Sequence, residues 1–401
     1  MSTSRLFQPI QLGRLALQHR VVMPSLTRNR VDKDTRVVGD DVVEHYALRA
    51  TVPGTLLIAE ATYISPKGAA FPTWQYTPGV WTPEQVKAWK KANMFPAFIP
   101  FHIPDVVDAV HAHGSFIILQ FWVLGREADP NLLAAIDPTV PYISASGIPV
   151  EGRSQSPRAL TREEIQEYVS LHAEAAKLAI NEAGFDGIEV NAGAGYLLDE
   201  FHKEFSNTRT DEYGGCPENR ARFTLEVYDA MSRKVGEDRL GIKLMPWDTT
   251  RGKENEDPVP TFSYLVSELR RRHPDLAYLH VVEPRFGPTW TGRPVRGNES
   301  NDFLREIWHG KPYIVDSGYT REAAIEEADA NEYTLVAFGR HYTSNPDLPI
   351  RLQYNIPLTP YVRDTFFAQL DWDGYNTFGF AEESKKILAA RGVSIDILDS
   401  K

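Results

Sequence analysis

The stretch GIEVNAGAGYLLDEF, residues 187 to 201, ends an apolar run on the polar Asn191, turns through glycines and presents Tyr196. A phenol just past a strand end can give or take a proton, and an amide close before it can donate to a carbonyl oxygen. Two further stretches, DSGYT at 316 to 320 and AFGRHY at 337 to 342, set small residues and one guanidinium behind apolar runs. Around Ser317, Gly318 and Gly339 the backbone N–H groups can approach an anion, and Arg340 can grip a phosphate with paired donors. A phosphorylated cofactor is expected there. Metal chemistry has no comparable support: Cys216 is the one cysteine and reads as a turn residue, and His111 and His113 in HAHG read as part of a solvated helix.

These groups need a frame that brings distant parts of the chain together. The apolar, β-rich runs are RVVMPSLT (20 to 27), TLLIAEATYIS (55 to 65), SFIILQFW (115 to 122), GFDGIEVN (184 to 191), LGIKLMP (240 to 246), LAYLHVVE (276 to 283), KPYIVDSG (311 to 318) and YTLVAFGR (333 to 340). Helical patterning fills the gaps. In LTREEIQEYVSLHAEAAKLAINEAG, Thr161 and Glu164 make a capping box, Ile165, Val169, Ala173, Ala176 and Ile180 mark an apolar stripe, and Gly184 supplies the stop. DVVDAVHAHG, PENRARFTLEVYDAMSRKVG, TFSYLVSELRRR and REAAIEEADA are further helices. Strand and helix alternating in this way predict an α/β fold, a (β/α)8 TIM barrel in one domain over 1–401. A doubly wound open sheet shares the alternation, but no G-x-G-x-x-G follows the first run. The stretch from about Gly125 to Pro157 reads as an elaborated loop after the third strand, long enough to wall a pocket. PEQVKAWKKANMFPAFIPFHIP, before that strand, reads as a packed irregular surface element.

A chain of 401 residues, 42% hydrophobic and 24% charged, has material for a large core. Its net charge of -11 argues against nucleic acid as a partner, since a phosphate backbone demands a basic face. No stretch approaches the ~20 apolar residues of a membrane span, and MSTSRLFQPI lacks an apolar signal core. A cytoplasmic location and a small-molecule substrate are expected.

In a barrel, chemistry sits at the C-terminal strand ends. Here these carry Thr27, Ala61, Gln120 with Trp122, Asn191, Lys243, Glu283, Ser317 with Gly318, and Gly339 with Arg340. With LTRNR (26 to 30), EATYISP (60 to 66), PGVWTPEQ (78 to 85), LQFWVLGREADP (119 to 130), GYLLDEF (195 to 201), SNTRTDEYGG (206 to 215), ENRARFTLEV (218 to 227), HVVEPR (280 to 285) and SNPDL (344 to 348), the chain resembles the old yellow enzymes, FMN-dependent ene-reductases, over nearly its whole length. The resemblance implies that Thr27 and Gln120 bond the flavin ring, Ala61 packs on it, and Gly318, Gly339 and Arg340 hold the FMN phosphate. It implies that Trp122, Phe286 and Tyr375 wall the substrate pocket. NADPH would reduce the flavin, an electron-poor alkene would then take the hydride, and Tyr196 would deliver the proton. A monomer or homodimer is implied.

The sequence departs from that family where the substrate is held. The family's H-x-x-N or H-x-x-H before G-Y becomes Asn191 and Ala194, so the pair that grips the substrate carbonyl is altered. Losing one such donor typically costs ~3 kcal/mol of transition-state stabilisation. Lys243 replaces the arginine beside the flavin, keeping the charge but not the planar fork. Three outcomes are compatible with these changes: ene reduction of a different, biosynthetic substrate; isomerisation, dehydrogenation or a redox-neutral cyclisation with Tyr196 as acid or base; or binding without turnover.

Overall fold

The apolar runs form the parallel strands β1 (Val21–Met23), β2 (Leu56–Ile58), β3 (Phe116–Trp122), β4 (Gly187–Ala192), β5 (Leu240–Leu244), β6 (Tyr278–Val282), β7 (Tyr313–Asp316) and β8 (Thr334–Ala337). They pair in sequence order, and β8 pairs back onto β1, closing the barrel. The computed structural model describes residues 3–71, 75–90, 105–248, 257–285, 295–369 and 371–393. Of the surface element proposed before β3, residues 83–89 form a capped helix and 91–104 lie outside the described residues.

Strand side chains alternate between two cores, as a closed barrel requires. From β4, β5 and β6, Ile188, Val190, Ile242, Leu244, Leu279 and Val281 face outward into the large core shared with the helices. That core is completed by α1 (Asp40–Ala50), α2 (Val106–Ala112), α3 (Arg162–Lys177), α4 (Pro217–Val235) and α5 (Val259–Arg272). Inside the barrel, Val22, Leu56, Ile58, Ile118, Ile314 and Leu335 form an apolar floor. An antiparallel hairpin, Ile10–Leu12 with Leu15–Leu17, packs Leu12, Leu15 and Leu17 into that floor. Polar chemistry is thereby left to the opposite mouth.

Three elements differ from the sequence reading. The run 55–65 is broken after Ile58, where the Glu60 N–H donates to the Tyr46 hydroxyl at 2.8 Å, and pairing resumes at Thr62–Tyr63. The long helix leaves α geometry at Lys177 and continues as a π turn over Leu178–Glu182, which leads into Phe185, edge-on to Trp89 at 5.3 Å. The stretch after β3 is not structureless: it holds a short helix, Pro130–Ile136, and pairs Ile143–Ser144 with Arg158–Ala159. Glu200 organises it from below, accepting from Arg126 N (2.6 Å), Ser144 Oγ (2.6 Å) and Ala145 N (3.2 Å).

Candidate active site

The C-terminal mouth of the barrel holds a cavity of about 260 Å³. Thr27, Ala61, Gln120, Lys243, Ser317, Gly318, Gly339 and Arg340 all line it, and so do Trp122, Asn191, Ala194 and Tyr196. Residues spread over more than 300 positions of sequence thus meet because every strand delivers its C-terminal end to the same rim.

At one end the turn after β7 is strained. Ser317 has φ 110 and Gly318 φ 73, and the Ser317 carbonyl accepts from Arg285 Nε at 2.6 Å. A Cβ on Gly318 would stand 3.3 Å from Arg340 Nη2, so glycine leaves room for that guanidinium. Arg340 is the second residue of the six-residue helix Gly339–Ser344, whose first N–H groups lack intrahelical partners. A guanidinium and backbone N–H groups at this end could hold an anion.

Across the cavity, the inward positions of β3 to β7 carry a continuous polar network. Asn191 Nδ2 donates to Gln120 Oε1 at 3.4 Å, and Gln120 Nε2 donates to Glu189 Oε1 at 2.6 Å. Glu189 Oε2 meets His280 Nδ1 at 2.8 Å and accepts from the Tyr278 hydroxyl at 3.1 Å. His280 Nε2 lies 3.2 Å from Asp316 Oδ2, which Lys243 Nζ also reaches at 2.7 Å. Burial pushes Asp316 up, but Lys243 and the His280 hydrogen bond outweigh it and hold the carboxyl well below the usual range. Glu189 is likewise lowered against its burial, chiefly by His280, and His280 is raised against burial and Lys243 by the two carboxylates. Gly241 makes the space, because a Cβ there would fall 2.2 Å from the Tyr278 ring.

Above these groups the walls are apolar and aromatic. Tyr196 is nearly fully buried and edge-on to Trp122, with ring centroids 5.0 Å apart. Tyr63 stacks on the other side of Trp122 at 5.1 Å. Tyr196 precedes the short helix Leu197–His202 and is set by the turn Gly193–Gly195: Ala194 has φ 57, and Gly195 N donates to Asp199 Oδ2 at 2.9 Å. Gly193 is required by close packing, since its Cβ would lie 2.7 Å from Met245 Cγ. The turn is closely packed, with Met245 on the cavity wall.

Of the three residues expected to wall the pocket, Trp122 lines the cavity. Phe286 lies outside the described residues. Tyr375 does not line the cavity: it is fully buried, stacked on His45 at 4.1 Å, with Arg30 4.5 Å from its ring centroid. Phe366, Phe367 and Arg363 line the mouth instead. Arg28 and Arg30 of LTRNR bind the carbonyls of Phe366 (3.2 Å), Gly374 (3.1 Å), Thr365 (2.9 Å) and Asp371 (2.7 Å), which explains how the segment after the last barrel helix is drawn over the site. Sequence reasoning also missed Glu189, His280 and Asp316. Their signal was a charged or titratable residue at an inward position of β4, β6 and β7.

A closed parallel barrel whose mouth joins a guanidinium beside small-residue turns, a polar row and an aromatic wall is the arrangement of a barrel enzyme with its site at the C-terminal strand ends. The model of the NADH:flavin oxidoreductase / NADH oxidase family matches residues 5–359, and the chain belongs to that family. The NADP-dependent oxidoreductase lnbE of Aspergillus flavus is 40% identical over 97% of this chain and 99% of its own. The aldehyde reductase FrzD of a Cladobotryum species is 42% identical over 95% of this chain and 96% of its own. The crystal structure of old yellow enzyme from Pichia sp. AKU4542 superposes with a TM-score of 0.82 at 36% identity, covering 95% of this chain and 94% of that one. The protein is thus an FMN-dependent oxidoreductase of old yellow enzyme type. Among the described residues no helix is long and apolar enough to cross a membrane, and no group of three or more metal-binding side chains occurs.

Proposed function

We propose that the protein uses NADPH to reduce the activated C=C bond of a small biosynthetic substrate, an α,β-unsaturated aldehyde, with Tyr196 as proton donor. The observation that carries this reading is that the anion seat, the polar row and Tyr196 share one cavity. FMN supplies hydride transfer from the nicotinamide to the substrate. Gly318, Gly339 and Arg340, with Ser317, would hold its phosphate; Thr27, Gln120 and Lys243 would meet the polar edge of its ring; Ala61 would pack against the face.

The remaining groups act on the substrate. Trp122 and the mouth residues exclude water and orient the alkene. Asn191 spends one amide N–H on Gln120 and keeps the other for a substrate oxygen. Ala194 lines the cavity but its side chain donates nothing, so ketones that depend on two donors lose ~3 kcal/mol of stabilisation. An aldehyde, being the more electrophilic carbonyl, depends on such donors less, and the name of the Cladobotryum relative points the same way.

The test is isotopic. Anaerobic NADPH should bleach the yellow protein, and 4-deuterated NADPH should place deuterium at the β-carbon of cinnamaldehyde, with 2-cyclohexenone turned over far more slowly. Tyr196→Phe should slow the second half-reaction at least about 100-fold while bleaching proceeds unchanged in stopped flow. Product free of deuterium would overturn the reading. The missing Ala194 donor also favours a second reading, redox-neutral isomerisation, which would show as turnover without bleaching.

A further inference from the structure

Lys243 and Asp316 stand on the cavity wall as an ion pair, 12% and 15% exposed, with Nζ and Oδ2 2.7 Å apart. The pair continues into the barrel through fully buried groups: His280 touches Asp316 with one ring nitrogen and Glu189 with the other. Tyr278 adds a neutral hydroxyl on Glu189, and Gln120 a neutral amide. The order Lys243, Asp316, His280, Glu189 alternates in sign, plus, minus, plus, minus. With both of its nitrogens against carboxylates, the imidazole has two acceptors and is held as imidazolium. The four charges then sum to zero.

A lone lysine at a flavin edge favours the reduced, anionic flavin over the neutral oxidised one, because only the former carries a charge to attract. A carboxylate fixed against that lysine removes most of this preference. We propose that Asp316 is a positioning residue that neutralises Lys243 and so keeps the flavin a stronger reductant than lysine alone would leave it, a role that rests on reading Lys243 as flavin-facing. A more reducing flavin offsets the loss of substrate activation at Ala194, since a poorly polarised alkene needs a better hydride donor.

The test is the flavin midpoint potential, read by dye equilibration in the holoprotein, for wild type, Asp316→Asn, Lys243→Met and the double variant. Asp316→Asn should bind reduced over oxidised FMN about tenfold better than wild type, a rise of about 30 mV for a two-electron couple. Lys243→Met should shift it downward, and the effect of Asp316→Asn should shrink in the Lys243→Met background. An unchanged or lowered potential in Asp316→Asn would overturn the proposal. If that variant fails to fold or load, Asp316→Ala and Asp316→Glu decide by the same measurement: a raised potential in the first with the wild-type potential kept in the second supports the neutralisation, and equal potentials in the two overturn it. Wild-type protein that takes up no FMN would instead refute the flavin-facing reading of Lys243.

Discussion

Ala194 occupies the left-handed backbone region at φ 57, where a β-carbon costs roughly 1 kcal/mol and asparagine is among the better tolerated residues. The conformation of the turn is held by Gly195, Asp199 and the packing of Gly193 on Met245. Ala194→Asn is therefore expected to relieve strain and return a donor to the cavity wall. Differential scanning calorimetry should show a slightly raised melting temperature, and steady-state assays a rise of about tenfold or more on 2-cyclohexenone. A lowered melting temperature would mean that the wall has no space for the amide.

At the scale of elements, two connections matter more than the strands they join. In the turn after β7, Gly318→Ala places a Cβ at φ 73 and 3.3 Å from Arg340 Nη2. Fluorescence titration of the apoprotein should find FMN bound roughly tenfold more weakly, and binding equal to wild type would remove this turn from the cofactor site. The segment 363–375 depends on Arg30, whose Nη2 and Nε hold the Thr365 and Asp371 carbonyls at 2.9 and 2.7 Å. Each acceptor left buried without a donor costs about 1–3 kcal/mol, so Arg30→Ala should expose this segment to limited proteolysis ahead of the barrel. Cleavage that begins in the barrel instead would show that the arginine is not what holds the strap. In the sequence, LTRNR was legible as a family mark, but its partners lie more than 330 residues away and no local pattern announces them.

For the whole molecule, buried titratable groups set how stability depends on pH. Burial pushes Glu200 up to about 8, and Glu60 and Glu283 up to about 7, from 4.5; it pushes His19 and His172 down to about 4 from 6.5. Between 4.5 and 6.5 the two sets oppose each other, because the folded chain holds protons on the carboxyls and lacks them on the histidines. Above 6.5 those histidines are neutral in both states. Unfolding then releases carboxyl protons, and the proton of His280 with them, so stability falls as pH rises toward 8. The urea midpoint should be lower at pH 8 than at pH 6.5, and Glu200→Gln should reduce the difference; a midpoint that rises over this interval would place ionised carboxylates in the folded protein. The strands and the residues at their C-terminal ends could be read from the sequence, because the alternation of strand with helix along the chain is a local regularity. That Tyr375 lies under two arginines rather than in the pocket, that Phe366 and Phe367 take its place, and that Lys243 is answered by Asp316 were decided only by tertiary structure. Those contacts join segments dozens to hundreds of residues apart, and their geometry exists only once the barrel has closed.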